Sequence, residues 1–145
     1  MLMIQREVAR RLVAQQRTKE YGILSGLCSL YADIRVLFDV SPGCFVPAPG
    51  VVSSVVHLML HDRPRYALEN EQFFRQMVRA VFGKRRKTLR NSLQYFLETI
   101  PELPARFELS RRPEELSLGE LVELANALHA ARRVDSQRPG RDAPA

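Results

Sequence analysis

The chain has no tryptophan and only two cysteines, Cys28 and Cys44, among its 145 residues. Two cysteines in a chain of this length do not make a disulfide framework. There is no C-x-x-C, and the histidines are His57, His61 and His129. His57 and His61 are four apart, but they fall in or just after a strand-like run. That spacing does not put two ligands on one helix face there, which argues against a zinc site. Of the seven glycines, no two form a G-x-G. This excludes dinucleotide loops of the G-x-G-x-x-G kind, and the G-x-x-x-x-G-K-[ST] phosphate loop is missing too. Gly22-Ile23-Leu24-Ser25-Gly26 has the wrong spacing for a nucleophile elbow. A nucleotide-like cofactor would therefore have to be held by residues other than these. No apolar run approaches the roughly 20 residues needed to span a bilayer. Arg6, Arg10 and Arg11 follow the short apolar start instead of preceding it, unlike a signal peptide. The expectation is a soluble, cytoplasmic protein without a membrane association.

Apolar residues make up 46% of the chain, enough for a packed core and too many for general disorder. Met1 to Ile4 read as the end of a buried strand. Val8, Leu12 and Val13 recur at helical spacing over 7–14. Leu24, Leu27, Cys28 and Tyr31 form an i, i+3, i+4, i+7 stripe that predicts a helix over about 21–32, with Thr18 or its neighbours as the cap. Ile34–Val40 and Val51–Leu60 read as strands. Between them Ser41-Pro42-Gly43 is a turn signal, and Phe45–Gly50, with Pro47 and Pro49, must be extended and irregular. From about Asn70 the pattern becomes purely helical. Phe73, Phe74, Met77, Val78, Val81 and Phe82 line one face up to a stop at Gly83, and a second helix is predicted over about 86–98. Pro101 and Pro104 break the chain. Ser117 and Glu120 have capping-box spacing for a last helix. The expected organisation is an α/β part over 1–62, an all-α part over 63–131, and a polar, disordered tail over 132–145.

Net charge is +6, but its distribution says more than its sum. No acidic residue occurs from Gln72 to Leu97. That window holds Arg75, Arg79, Lys84, Arg85, Arg86, Lys87 and Arg90, seven of the 22 basic residues. Clustered guanidinium and ammonium groups at a helix junction suit phosphate oxygens, and arginine binds them bidentately. A nucleic acid is the favoured partner. A solvated helix face and a protein or membrane partner are the competing readings of the same run.

The run Phe82-Gly83-Lys84-Arg85-Arg86-Lys87-Thr88-Leu89-Arg90-Asn91-Ser92-Leu93 resembles the F-x-x-R-R-K-T-L-R-N-x-L signature of the rRNA adenine dimethyltransferases. Gln5 to Leu12 resembles that family's Q-x-E-V-A-x-R-L, and Tyr21 to Ser25 its Y-G-x-L-S. Phe45 to Val56 is similar to F-x-P-x-P-K-V-x-S-x-V-V, with Gly50 in place of the lysine. Val52 stands where the family often has Asp, and Gln16-Arg17 where it often has Pro-Gly. Arg112 to Leu128 resembles the C-terminal R-x-E-x-L-S and L-A-N-x-L elements.

The resemblance implies the last strands and helices of a Rossmann-like methyltransferase domain followed by a small helical domain. It also implies that the chain is the C-terminal portion of such an enzyme, lacking the N-terminal half that binds S-adenosylmethionine. The implied activity is S-adenosylmethionine-dependent dimethylation of two adjacent adenines in small-subunit (16S) rRNA, with the 30S subunit as partner. The portion alone would be inactive, and a non-catalytic rRNA-binding or ribosome-assembly module is the alternative. By resemblance, Phe45 stacks on the target adenine once it leaves its stack. A core residue is the alternative for Phe45. Lys84, Arg85, Arg86, Lys87 and Arg90 would hold rRNA phosphates, with internal ion pairing as their alternative.

Overall fold

A computed structural model describes residues 1–98 and 103–137. The chain divides into two compact units, Met1–Ala67 and Leu68–Ala145. The first extends past residue 62 because the connecting segment stays bound to it. The Arg65 amide donates to the Leu30 carbonyl at 2.8 Å, and the Arg65 guanidinium pairs with Asp33.

The first unit is a three-stranded sheet with two helices. β1 (Leu2–Gln5) runs straight into α1 (Arg6–Leu12). α2 (Ile23–Tyr31) runs without a loop into β2 (Ala32–Val40), and β3 (Ser53–Leu60) closes the unit. The strand order is β1-β3-β2, with β3 antiparallel to both neighbours. Ser53 is in register with Gln5 on one side and Val40 on the other. The carboxyl ends of β1 and β2 therefore meet at one end of the sheet, where the 41–52 segment emerges. The register of β2 slips at Leu37, where Val36 faces Val56 but Phe38 faces Val55. An extra residue of this kind bends a strand and raises its twist.

The core of this unit is small: Ala9, Tyr21, Leu30, Ala32 and Val56. β1 is not a buried strand as the sequence suggests. Leu2 and Met3, whose side chains point to opposite faces of the sheet, are each 54% exposed, so neither face is covered there. The cap of α2 also differs from expectation. Thr18 closes a turn by donating to the Gln15 carbonyl at 2.7 Å. The start of α2 is held instead by Ser25, whose hydroxyl accepts from the Gly22 amide at 2.8 Å and donates to the Gly22 carbonyl at 3.1 Å. Arg17 has a φ of 69°. That left-handed conformation costs a non-glycine residue roughly 1–2 kcal/mol. It falls where the resembling family often places glycine.

The second unit is helical. α3 (Glu71–Gly83) is capped by the Asn70 side chain, which accepts from the Phe73 amide at 2.9 Å. Its buried stripe is Phe73, Phe74, Met77, Val78, Val81 and Phe82. The single helix expected over 86–98 is instead two short ones, α4 (Leu89–Ser92) and α5 (Gln94–Leu97). They break at Leu93, whose φ of −96° and ψ of 6° leave the helical region. The start is delayed to Leu89 for a tertiary reason: the Leu89 and Arg90 amides donate to the Arg111 and Leu109 carbonyls, both at 2.9 Å. α6 (Leu118–Ser136) buries Leu121, Val122, Leu124, Ala125 and Leu128. It continues four residues past Arg132, into the region read as a disordered tail, because nothing before Pro139 breaks it. The rest of that expected tail, 138–145, and Pro101 lie outside the described residues. Among the described residues no helix is long and apolar enough to cross a membrane.

The capping box of α6 is as its spacing predicts. The Glu120 amide donates to Ser117 Oγ at 3.2 Å, and the Ser117 amide donates to Glu120 Oε2 at 2.7 Å. Arg111 adds an ion pair to Glu120 at 2.9 Å. The hydrogen bond from Arg111, outweighing desolvation and helped by Ser117, holds the Glu120 carboxyl below its ordinary value. A depressed carboxylate stabilises the fold above its unfolded pKa, about 4.3, and that contribution is lost as pH falls through the folded value. The pair is partly exposed, with Glu120 43% and Arg111 27% accessible, so solvent and salt screen it. Glu120→Gln is expected to cost on the order of 1 kcal/mol at pH 7. The same substitution should flatten the loss of melting temperature of the helical unit below about pH 4.3.

Candidate nucleic-acid interface

Of the seven basic residues singled out from the sequence, four lie together on one turn, Arg75 and Arg79 precede it on α3, and Arg90 follows it on α4. Lys84, Arg85, Arg86 and Lys87 are all exposed between α3 and α4, and Arg90 is exposed on α4. The turn is closed by the Lys87 amide donating to the Lys84 carbonyl at 2.8 Å. Its flanks are fixed by buried side chains, Val81 and Phe82 before it and Leu89 and Leu93 after it. Thr88 is the residue before α4, and Asn91 is exposed on α4 away from the cap position.

Some arginines elsewhere have carboxylate partners. Arg11 pairs with Glu7 at 2.7 Å, Arg75 with Glu71 at 2.5 Å, and Arg111 with Glu120. Within the second unit, and among the described residues, no carboxylate forms an ion pair with Lys84, Arg86, Lys87 or Arg90. A turn of exposed positive charges with its backbone fixed at both ends presents hydrogen-bond donors to an anion. Arginine there can engage phosphate bidentately and lysine as a point charge.

Phe45 lies in the first unit, after a 3-10 turn at Pro42–Cys44, where the Phe45 amide donates to the Pro42 carbonyl at 3.2 Å. Its side chain is half-buried and is not among the core residues. The next peptide bond, Val46–Pro47, is cis. The Phe45 segment emerges at the carboxyl ends of β1 and β2, the end of an open sheet at which α/β proteins bind ligands.

Behind it lies a polar cluster that the sequence did not reveal. Ser54 is buried and donates to Asp39 Oδ1 at 2.6 Å, and Arg6 stands 3.8 Å from Asp39 Oδ2. The Arg6 amide also donates to the Val52 carbonyl at 2.9 Å. These residues tie together the ends of all three strands at that end of the sheet. They are far apart in sequence and meet only through strand register, so no local motif signals them.

His57 lies within β3. His61 follows it and faces Asp33, Nε2 to Oδ2 at 3.2 Å. The hydrogen bond from His61, with Arg65 assisting, lowers the Asp33 carboxyl. The three groups hold the exit of β3 to the start of β2. Among the described residues, no three of His, Cys, Asp and Glu gather in a way that could hold a metal ion.

A family profile described as ribosomal RNA adenine dimethylase matches residues 1–107. The relatives include the ribosomal RNA small subunit methyltransferase A of Magnetococcus marinus. It is 45% identical over 131 residues, covering 86% of this chain and 46% of the relative. The protein of the same name from Syntrophotalea carbinolica is 44% identical over 132 residues, covering 88% of this chain and 50% of the relative. The chain thus spans about half the length of the curated relatives it matches. A crystal structure of a dimethyladenosine transferase from Plasmodium falciparum superposes with a TM-score of 0.67 at 20% identity. The match covers 85% of this chain and 54% of that one, a similarity of fold. By the profile and by these identities, the chain belongs to the ribosomal RNA adenine dimethylase family.

Proposed function

We propose that these 145 residues form the RNA-facing part of an S-adenosylmethionine-dependent rRNA adenine dimethyltransferase acting on small-subunit (16S) rRNA of the 30S subunit in ribosome biogenesis. The observation that carries this reading is the basic turn, exposed at Lys84, Arg85, Arg86 and Lys87 and fixed at both ends by the helical core. Lys84, Arg85, Arg86, Lys87 and Arg90 hold phosphates and position the RNA, a role that carries no sequence information. Phe45 supplies a π-face for the adenine taken out of its stack, a contact worth roughly 1–3 kcal/mol per base. The three strands are then the last strands of a Rossmann-like sheet.

The described residues around Phe45 do not fit the methyl donor. A donor cradle needs a free carboxylate for the ribose and a glycine against which the ligand closes. Asp39 is engaged by Ser54 and Arg6, and Gly43 and Gly50 beside Phe45 have open space where a Cβ would stand. The donor therefore belongs to residues outside these 145, and the chain by itself is inactive in methyl transfer. A non-catalytic rRNA-binding or ribosome-assembly module is the second reading, favoured by the same misfit.

Titration of labelled S-adenosylmethionine and of a labelled rRNA hairpin against the chain tests this. Expected are RNA binding that weakens linearly in log salt and no binding of the donor. Tight donor binding to these residues would overturn its placement, and RNA affinity insensitive to salt would overturn the phosphate role. A chain extended upstream in its reading frame that binds RNA but still not the donor selects the assembly module.

A further inference from the structure

A second basic feature lies at the other end of α3. The first turns of α3 and the last turns of α6 border a groove of about 390 Å³. That is within the size range of small-molecule sites, roughly 300–1,000 Å³. Gln72, Phe73 and Gln76 line it from α3, and His129, Arg132 and Arg133 from α6. Among the described residues no carboxylate lines it. The one acid in the first turn of α3, Glu71, is occupied by Arg75. The N-terminal, positive end of the α3 dipole meets the C-terminal, negative end of α6 here, so the positive charge of the groove comes from Arg132 and Arg133.

The His129 ring packs on Phe73 with centroids 5.3 Å apart, and its Nδ1 is buried without a hydrogen-bond partner among the described residues. Two guanidiniums, two exposed side-chain amides and the partly exposed His129 ring form the set of groups that a nucleotide uses. The guanidiniums suit its phosphate, the amides its base edge and the ring its base face.

We propose that this groove is a second RNA subsite, taking one unpaired nucleotide and its phosphate. It is separate from the basic turn: a helix of 13 residues puts the two ends of α3 about 20 Å apart. An RNA strand engaging both would be held along the axis of α3 and could not pivot about the turn. The occupant is RNA in preference to a free nucleotide because both ends of the same helix then serve one polyanion. The proposal rests on the reading of the chain as an RNA-binding protein.

The test is fluorescence anisotropy of the 145-residue chain with a labelled single-stranded 12-nucleotide RNA over a salt series. The Arg132→Ala/Arg133→Ala variant is expected to lower the salt slope by about 0.7, the contribution of the one single-strand phosphate the pair neutralises. Arg132→Lys/Arg133→Lys should restore most of it. Gln76→Leu, which removes no charge, should weaken binding about threefold at an unchanged slope, which general electrostatics would not produce. An Arg132→Ala/Arg133→Ala slope equal to wild type, with the basic turn still required, overturns the groove alone. Failure of the wild-type chain to bind RNA overturns the groove and the broader reading together. The His129 ring proton signals provide a local readout: they should move with the RNA. Saturation of those signals by AMP at lower concentrations than by RNA would reassign the groove to free nucleotides and overturn the proposal.

Discussion

Alanine at Arg85, Arg86, Lys87 and Arg90 together is expected to weaken binding to an rRNA hairpin on the order of 100-fold near 0.1 M salt. The slope of log affinity against log salt should fall by about three to four. All four side chains are exposed, so the fold should persist, with stability within about 0.5 kcal/mol per site. Circular dichroism melting checks that condition, and anisotropy titrations at several salt concentrations check the affinity. Charge-preserving lysine at the three arginines should return most of the slope but not all of the affinity, because an ammonium does not reproduce a bidentate fork. An alanine variant that binds as tightly as wild type would make the turn a solvated face.

Phe74→Ala should unfold the helical unit's core with a cost of about 3–5 kcal/mol. Phe74 is fully buried in α3, among Met77, Val78 and Val81 on the same face and Leu121, Leu124 and Leu128 of α6. Against a typical total of about 5–15 kcal/mol, that loss leaves little margin. In the first unit Leu30 is the one fully buried side chain of comparable size, the core is small, and the sheet leaves much apolar surface open. Leu37, Phe38, Met59 and Leu60 are exposed there, Leu60 by 74%. Amide hydrogen exchange should therefore divide the molecule, with α3 and α6 protected well above β1 and the ends of β2 and β3. Exposed apolar strands also make the sheet the origin of aggregation on mild heating. Uniform protection across both units would contradict this partition.

What was legible in the sequence is what is encoded locally. The Ser117–Glu120 box, the apolar stripe of α3 and the stop at Gly83 all depend on residues within one or two turns of each other. The basic turn was legible because a window free of acids is a property of the sequence itself. What was not legible depends on distant partners. The helix over 86–98 splits because Leu109 and Arg111, some twenty residues later, supply the carbonyls that start α4. Asp39 and Ser54 meet only through the register of β2 on β3. The groove at Arg132 and Arg133 was hidden because a polar stretch near the end of the chain reads as a tail until α3 is packed beside it. The pairing of Gly22 with Ser25 could have been read, since the two are three residues apart at the start of a helical stripe.

The basic turn carries no regular secondary structure, yet both of its ends are bolted to the helical core. Ordering a flexible stretch costs roughly 1–2 kcal/mol per residue in backbone entropy. Here that cost is met when the protein folds, so an incoming strand meets charges already at their working spacing. Preorganisation of this kind ties affinity to the integrity of the core. As the helical unit melts, RNA affinity should disappear in the same cooperative step. A core substitution such as Phe74→Ala, far from any phosphate, would then lower the temperature at which RNA is released by the same amount as it lowers the melting temperature.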